Sequence, residues 1–197
     1  MKLVKKYPYK HYNRFSDKNG RKYLVGNAKV PSVTNILSAT KDKRFLENWR
    51  RKVGDAEADR IMNQASTIGT EMHQVLEYTL NGQGYFNAME EGTKPRMMAK
   101  TILNNIKLEE IWGNEISLEQ TNRPKRDEWV EDYKLQLGAY YLAHTKNYGP
   151  IEQGVVSMCS RDLQYQEWRL NESELKEYAD KFLLRFDEYN KIITINS

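Results

Sequence analysis

His73 and Glu77 stand four residues apart in the segment GTEMHQVLE, and Gly69 lies four residues before His73. Residues at this spacing share one face of a helix, so the imidazole and the carboxylate can bind one divalent cation between them. Gly69 would let another backbone or a substrate approach that face closely. The alternative is a solvated polar face on an amphipathic helix, which the residue types alone favour. His73 and Glu77 are therefore the candidate catalytic and metal-binding residues, with that alternative open.

Gln136 and Tyr140 form a second set at the same spacing, with Asp132 four residues before Gln136. The Gln136 amide can bond a phosphate oxygen or a base edge, and the Tyr140 ring can stack or donate a hydrogen bond. Alternatively, this is a half-buried helix face on which Tyr140 enters the core and Gln136 caps a neighbouring group. The spacing does not separate the two interpretations.

Arg123, Lys125 and Arg126 form a basic group just before a predicted helix start. They can neutralise phosphates together with other basic residues, while aromatic residues near the N-terminus can stack on unpaired bases. These further residues are Lys5, Lys6, Lys10, Lys94, Arg96, Tyr7, Tyr9, Tyr12 and Phe15. The alternative is an ordinary charged surface over core aromatic residues. His11 and His144 are predicted to be structural, and Cys159, in an apolar strand, is predicted to be inert.

The composition is that of an ordinary folded protein, with 39% hydrophobic and 29% charged residues among 197. A net charge of +4 permits a polyanionic partner without requiring one. The single cysteine excludes an internal disulfide and cysteine-cluster metal sites, and it favours a reducing compartment. No segment is long and apolar enough to cross a bilayer. We therefore predict a cytoplasmic protein, neither secreted nor transmembrane, that forms a single domain over residues 1–197.

The elements that must position these residues are predicted from hydrophobic spacing and turn signals. Asn19-Gly20, between two β-type runs, predicts a hairpin over residues 11–25. Helices are predicted at 31–37, 45–53, 55–80, 95–112, 127–147 and 171–193, and strands at 115–118, 155–159 and 164–170. Predicted helix caps are Ser32 or Thr34, Asp127 and Asn171. The fold class is therefore α+β and helix-rich, with a small sheet.

In order and spacing, six short motifs resemble PD-(D/E)XK exonucleases of the RecB-like type, in particular the phage exonucleases related to the mitochondrial genome maintenance exonuclease. The motifs are Pro31-Ser-Val-Thr, Gly69-x-x-x-His73-x-x-x-Glu77, Trp112-Gly-Asn-Glu115, Gln120-Thr-Asn-Arg-Pro-Lys125, Glu131-Asp-Tyr133 and Gln136-Leu-x-x-Tyr140. The resemblance covers nearly the whole chain. It implies a restriction-endonuclease-like fold, one or two Mg²⁺ or Mn²⁺ ions, and DNA, single-stranded or at its ends, as the partner. It also implies that Glu77 supports the metal site and that the helix of Gln136 and Tyr140 lines the DNA path.

The chain departs from this family within the segment ISLEQTNRPKRDEW, residues 116–129. The family has there a strand hairpin with a metal-binding Asp and an apolar strand ending in Asp-Phe-Lys or similar. Here Leu118-Glu119 continues directly into Gln120, as if a block had been removed. Glu115 and Glu119 can approach a metal with Glu77, but no motif places a lysine beside them. Since metal-assisted hydrolysis needs clustered acids and a lysine in this family, we expect impaired catalysis and leave metal binding open.

The leading hypothesis is therefore a DNA exonuclease family member with impaired catalysis. It has an N-terminal hairpin region at 1–30, a helical region at 31–112 and a reduced nuclease core at 113–197. A gene product that retained the missing strands would instead be an active exonuclease. The alternative is a non-catalytic DNA-binding or protein-interaction module, for which salt-dependent oligonucleotide binding would be the test. A helical interaction protein unrelated to DNA, which predicts no oligonucleotide binding, ranks last.

Overall fold

The protein is α+β, as predicted, and the computed structural model describes residues 2–4, 6–10, 12–17, 20–83, 90–111 and 125–195. Within these ranges six α-helices accompany seven strands, which form one three-stranded and two two-stranded sheets. The chain divides into two compact units. Unit 1 contains Met1–Tyr7, Lys43–Asp127 and Val156–Trp168, and unit 2 contains Pro8–Asp42, Glu128–Val155 and Arg169–Ser197. No described helix combines the length and apolarity needed to cross a membrane.

Unit 1 is built on three helices: α2 (Arg44–Val53), α3 (Asp55–Leu80) and α4 (Lys94–Asn105). The apolar stripe of α3 packs against α4 because their buried residues recur at helical spacing. This cluster consists of Met72, Val75, Leu76, Met98, Ala99, Ile102 and Cys159. Cys159 belongs to this cluster, so its predicted place in the core is confirmed, and burial raises the pKa of its thiol to about 11.

The prediction that α4 reaches Trp112 was wrong at its C-terminal end. The helix stops at Asn105, and Ile106 has an extended backbone with φ −65° and ψ 121°. Strand β5 (Glu110–Ile111) follows and pairs in parallel with β1 (Lys2–Leu3). The helix does not continue through this apolar segment because Glu110–Ile111 pairs with a strand more than a hundred residues away in the sequence. The predicted strand at 115–118 lies outside the described residues, as do His11 and Lys5.

Unit 2 begins with an antiparallel sheet of β2 (Arg14–Asp17), β3 (Gly20–Val25) and β4 (Ala28–Pro31). The predicted hairpin is confirmed by the pairing of β2 with β3, whereas β4 was not predicted. Helix α1 (Val33–Ala39) then starts at Ser32, whose hydroxyl accepts from the Asn35 N–H at 3.2 Å. Of the two predicted caps, the first is therefore the one used.

Helices α5 (Glu131–Tyr148) and α6 (Glu172–Ile195) form the rest of the unit 2 core with α1. Their apolar cluster contains Ile36, Leu37, Leu135, Ala139 and Phe182. Arg185 on α6 holds the end of α1, since Nε donates to Thr40 Oγ1 at 2.6 Å and Nη2 donates to the Leu37 carbonyl at 2.8 Å. These charge-assisted bonds fix α1 against α6.

Strands β6 (Gln153–Cys159) and β7 (Tyr165–Asn171) form the hairpin between α5 and α6. The predicted cap at Asn171 is confirmed, because Asn171 and Glu174 exchange two side-chain-to-backbone bonds of 2.8 and 3.0 Å. The predicted cap at Asp127 was wrong. Residues Asp127–Trp129 form a 3₁₀ turn before α5, and the Asp127 carboxylate instead accepts from Trp168 Nε1 at 2.6 Å.

Candidate functional site

His73 and Glu77 lie one turn apart on α3, as their spacing predicts. Glu77 is exposed, His73 is half-buried and Gly69 is buried. Burial lowers the pKa of His73 from 6.5 to about 4, so its imidazole is neutral near neutral pH. A neutral imidazole keeps a lone pair for a metal ion or a hydrogen-bond donor. The solvated-face interpretation therefore fits Glu77 but not His73.

The metal ion that the resemblance implies needs about six oxygen or nitrogen ligands, part of them from water. Among the described residues, no group of three or more His, Cys, Asp or Glu side chains is arranged to hold a metal. His73 and Glu77 supply two donors, and Glu115, the third candidate, lies outside the described residues. The described side chains alone therefore do not fit the family's metal site, and we assign them no hydrolytic step.

Gln136 and Tyr140 on α5 are joined directly. The buried Gln136 amide donates from Nε2 to Tyr140 Oη at 2.6 Å, and Tyr140 is half-buried. Asp132, one turn earlier, is 2.7 Å from Lys41 Nζ and thus serves a salt bridge within unit 2. Because the amide and the phenol hold one another, both are oriented before any ligand arrives.

The basic residues before α5 differ in how far they are exposed to solvent. Arg126 is exposed, Lys125 is buried, and Arg123 lies outside the described residues. The Gln166 side chain on β7 fixes the Lys125 backbone. The Lys125 N–H donates to Gln166 Oε1 at 2.5 Å, and Gln166 Nε2 donates to the Lys125 carbonyl at 2.9 Å. Sequence reasoning did not select Gln166, since nothing local marks a glutamine that pairs 41 residues away.

An aromatic cluster in unit 2 surrounds His144. Its Nδ1 is 2.7 Å from the Gly149 carbonyl, which can only accept, so Nδ1 donates. Nε2 then accepts from the Tyr9 hydroxyl at 3.1 Å, and the Tyr148 hydroxyl donates to the Pro8 carbonyl at 3.2 Å. His144 is thus structural, as predicted, because it holds the chain around Tyr9 to the end of α5.

Arg161 in the β6–β7 turn was not predicted as a site residue. Its Nε is buried and has no hydrogen-bond partner within the described ranges. A buried donor without an acceptor is costly, and a phosphate oxygen would satisfy it. The neighbouring Leu163 has a positive φ of 66°, which is unusual for a branched residue. The sequence carries no signal for this, because an arginine's partners are set by tertiary contacts.

The candidate residues are distributed over both units: His73, Glu77, Lys125, Arg126 and Arg161 belong to unit 1, and Gln136 and Tyr140 to unit 2. No protein-family model matches this chain, and no curated protein matches it. The ordered motifs therefore carry the family resemblance by themselves.

Proposed function

We propose that this chain is a DNA-binding member of the PD-(D/E)XK, RecB-like exonuclease family, with a reduced restriction-endonuclease-like core and impaired metal-dependent phosphodiester hydrolysis. The observation that carries the proposal is the bonded pair of Gln136 and Tyr140 on α5. These are the two positions that the resemblance assigns to the DNA path. Their preorganised polar and aromatic groups suit single-stranded DNA or DNA ends.

The chemistry of the pair supports contact with nucleic acid. The Gln136 amide is buried and gives one hydrogen to Tyr140, so it orients the half-buried Tyr140 side chain at this face. The Tyr140 ring adds a surface on which a base can stack. Because the pair is already ordered, binding loses less side-chain entropy than it would with two free side chains. Arg126, exposed in unit 1, is a separate basic candidate for contact with phosphates.

Two features support impaired hydrolysis: the small number of metal-binding side chains found together, and the missing motif in the segment at residues 116–129. The family's reaction needs clustered carboxylates that hold a cation and a lysine that orients the attacking water. His73 and Glu77 are the donors found together on α3, and the sequence has no Asp-x-Lys at the end of an apolar strand. DNA binding is therefore the activity that the chain retains, and hydrolysis the one that is weakened.

Labelled single-stranded DNA tests both parts of this proposal. With chelator, the protein is expected to bind the strand, and every three phosphates contacted should lower affinity about twentyfold between about 50 and 200 mM salt. With Mg²⁺ or Mn²⁺, the strand is expected to stay intact over hours, in parallel with a Glu77→Ala variant. Metal-dependent degradation that Glu77→Ala abolishes would show a complete site and contradict impaired catalysis.

Replacing Gln136 and Tyr140 together by alanine is expected to weaken single-strand binding about tenfold, because a stacking surface and an oriented amide are both lost. Fluorescence anisotropy with a labelled oligonucleotide measures the affinity, and circular dichroism checks that the helices remain. Leu142→Ala is the matched control, since Leu142 lies on the same helix and is exposed. Unchanged affinity in the double variant, with folding intact, would exclude α5 as the DNA path.

A further inference from the structure

Helix α2 in unit 1 turns its apolar residues towards solvent. None of its ten residues is buried. Phe45 is 80% exposed, Leu46 40% and Val53 37%. At four-residue spacing Phe45, Trp49 and Val53 form one stripe, which in most helices faces a core. Trp49, in the middle of the stripe, is half-buried, and exposed apolar residues on either side of it are typical of an interaction surface.

The orientation of α2 is fixed by contacts with the start of α3. Arg50 Nε is 3.0 Å from Asp55 Oδ1, and Arg50 Nη1 is 2.8 Å from Asp59 Oδ1. The connecting Gly54 has a φ of +85°, and its N–H closes on the Arg50 carbonyl at 2.9 Å. A glycine conformation and a forked ion pair thus hold the Arg50 side of α2 towards α3.

Helix α2 and the preceding Lys43 carry a high positive charge. Residues 43–53 include five basic residues and one acidic residue, Glu47, a net charge of +4 that equals that of the whole sequence. Arg50 is paired with Asp55 and Asp59, whereas Lys43, Arg51 and Lys52 form no ion pair within the described residues. Since Lys52 stands seven residues after Phe45, it lies beside the stripe on the helix surface.

We propose that α2 is a second docking surface for single-stranded DNA, with Phe45 and Trp49 stacking on bases and Lys43, Arg51 and Lys52 contacting phosphates. This inference rests on the proposed function and names a surface for it apart from α5. Aromatic side chains one turn apart, with Lys52 beside them on a strongly basic helix, match the bases and the phosphates of an unpaired strand. A second copy of this chain is a poorer fit, because two surfaces of charge +4 would repel.

The test compares variants of the full chain by anisotropy with a labelled oligonucleotide over a range of salt concentrations. Phe45→Ala is expected to weaken binding about tenfold, within the range for loss of one stacked base. A triple change of Lys43, Arg51 and Lys52 to Gln is expected to lower the slope of log affinity against log salt by about 2. Leu184→Ala is the matched control, because Leu184 on α6 is 70% exposed and should not affect binding.

The outcomes separate this inference from the proposed function. Wild-type affinity in Phe45→Ala and in the triple variant would overturn the role of α2, while loss of affinity on changing Gln136 and Tyr140 would still support the proposed function. No binding by the wild-type chain would overturn both. Binding of the wild type to anionic lipid vesicles, abolished by Phe45→Ala without a change in DNA affinity, would assign α2 to a membrane surface and overturn the inference.

Discussion

Gly138→Ala is expected to destabilise the protein by about 3 kcal/mol, the upper part of the usual range for overpacking. A Cβ at Gly138 would lie 2.3 Å from the Tyr178 carbonyl carbon and 2.5 Å from both the Tyr178 oxygen and the Ala179 nitrogen. All three are backbone atoms of α6, so no side-chain rotation relieves the overlap. Helices α5 and α6 must instead separate, which loosens the cluster of Tyr141, Leu170, Leu175 and Ala179.

Thermal unfolding followed by circular dichroism measures this effect, and a fall in Tm of about 10 °C is expected for a chain of this size. Gly138 lies inside a helix, where alanine without a steric clash would be more stable than glycine by about 1 kcal/mol. A Gly138→Ala protein as stable as the wild type would therefore contradict the close approach of α5 and α6.

Local signals were sufficient to predict many of the elements. Helix α3 runs over Asp55–Leu80 as predicted, because its apolar stripe is long and free of proline. The caps at Ser32 and Asn171 were predicted from short side-chain patterns and are present. The errors arise where a distant partner decides the structure. The end of α4 gives way to a strand paired with Lys2–Leu3, and Asp127 binds Trp168 instead of capping a helix.

The candidate site was predictable only in part, because spacing fixes which residues share a face but not how deeply each is buried. The four-residue spacing placed Gln136 beside Tyr140, and the structure shows them bonded. Spacing could not reveal that Lys125 is buried whereas Arg126 is exposed. It also predicted a helix at α2 without revealing that Phe45 would face solvent, since exposure depends on which elements pack nearby.

Replacing His73 by Gln is expected to remove part of the acid sensitivity of folding. In the folded chain, burial lowers the pKa of His73 from 6.5 to about 4. Between these values the unfolded chain binds a proton that the folded chain does not, so stability falls as pH falls. The stabilisation is fully present above about pH 6.5 and is lost as pH decreases to about 4. This loss is about 2 to 3 kcal/mol for a half-buried group, and glutamine, which does not titrate, should not show it.

Urea unfolding at about pH 7.5 and pH 4.5 measures the difference between the wild type and His73→Gln. The wild type is expected to lose more stability between the two pH values than His73→Gln does. Equal losses in the two proteins would contradict the burial of His73. If the difference is found, the imidazole on the α3 face is neutral at physiological pH, which is the protonation state that a metal ion requires of a histidine ligand. Acid sensitivity would then report directly on the half-buried imidazole beside Glu77, independently of any nuclease assay.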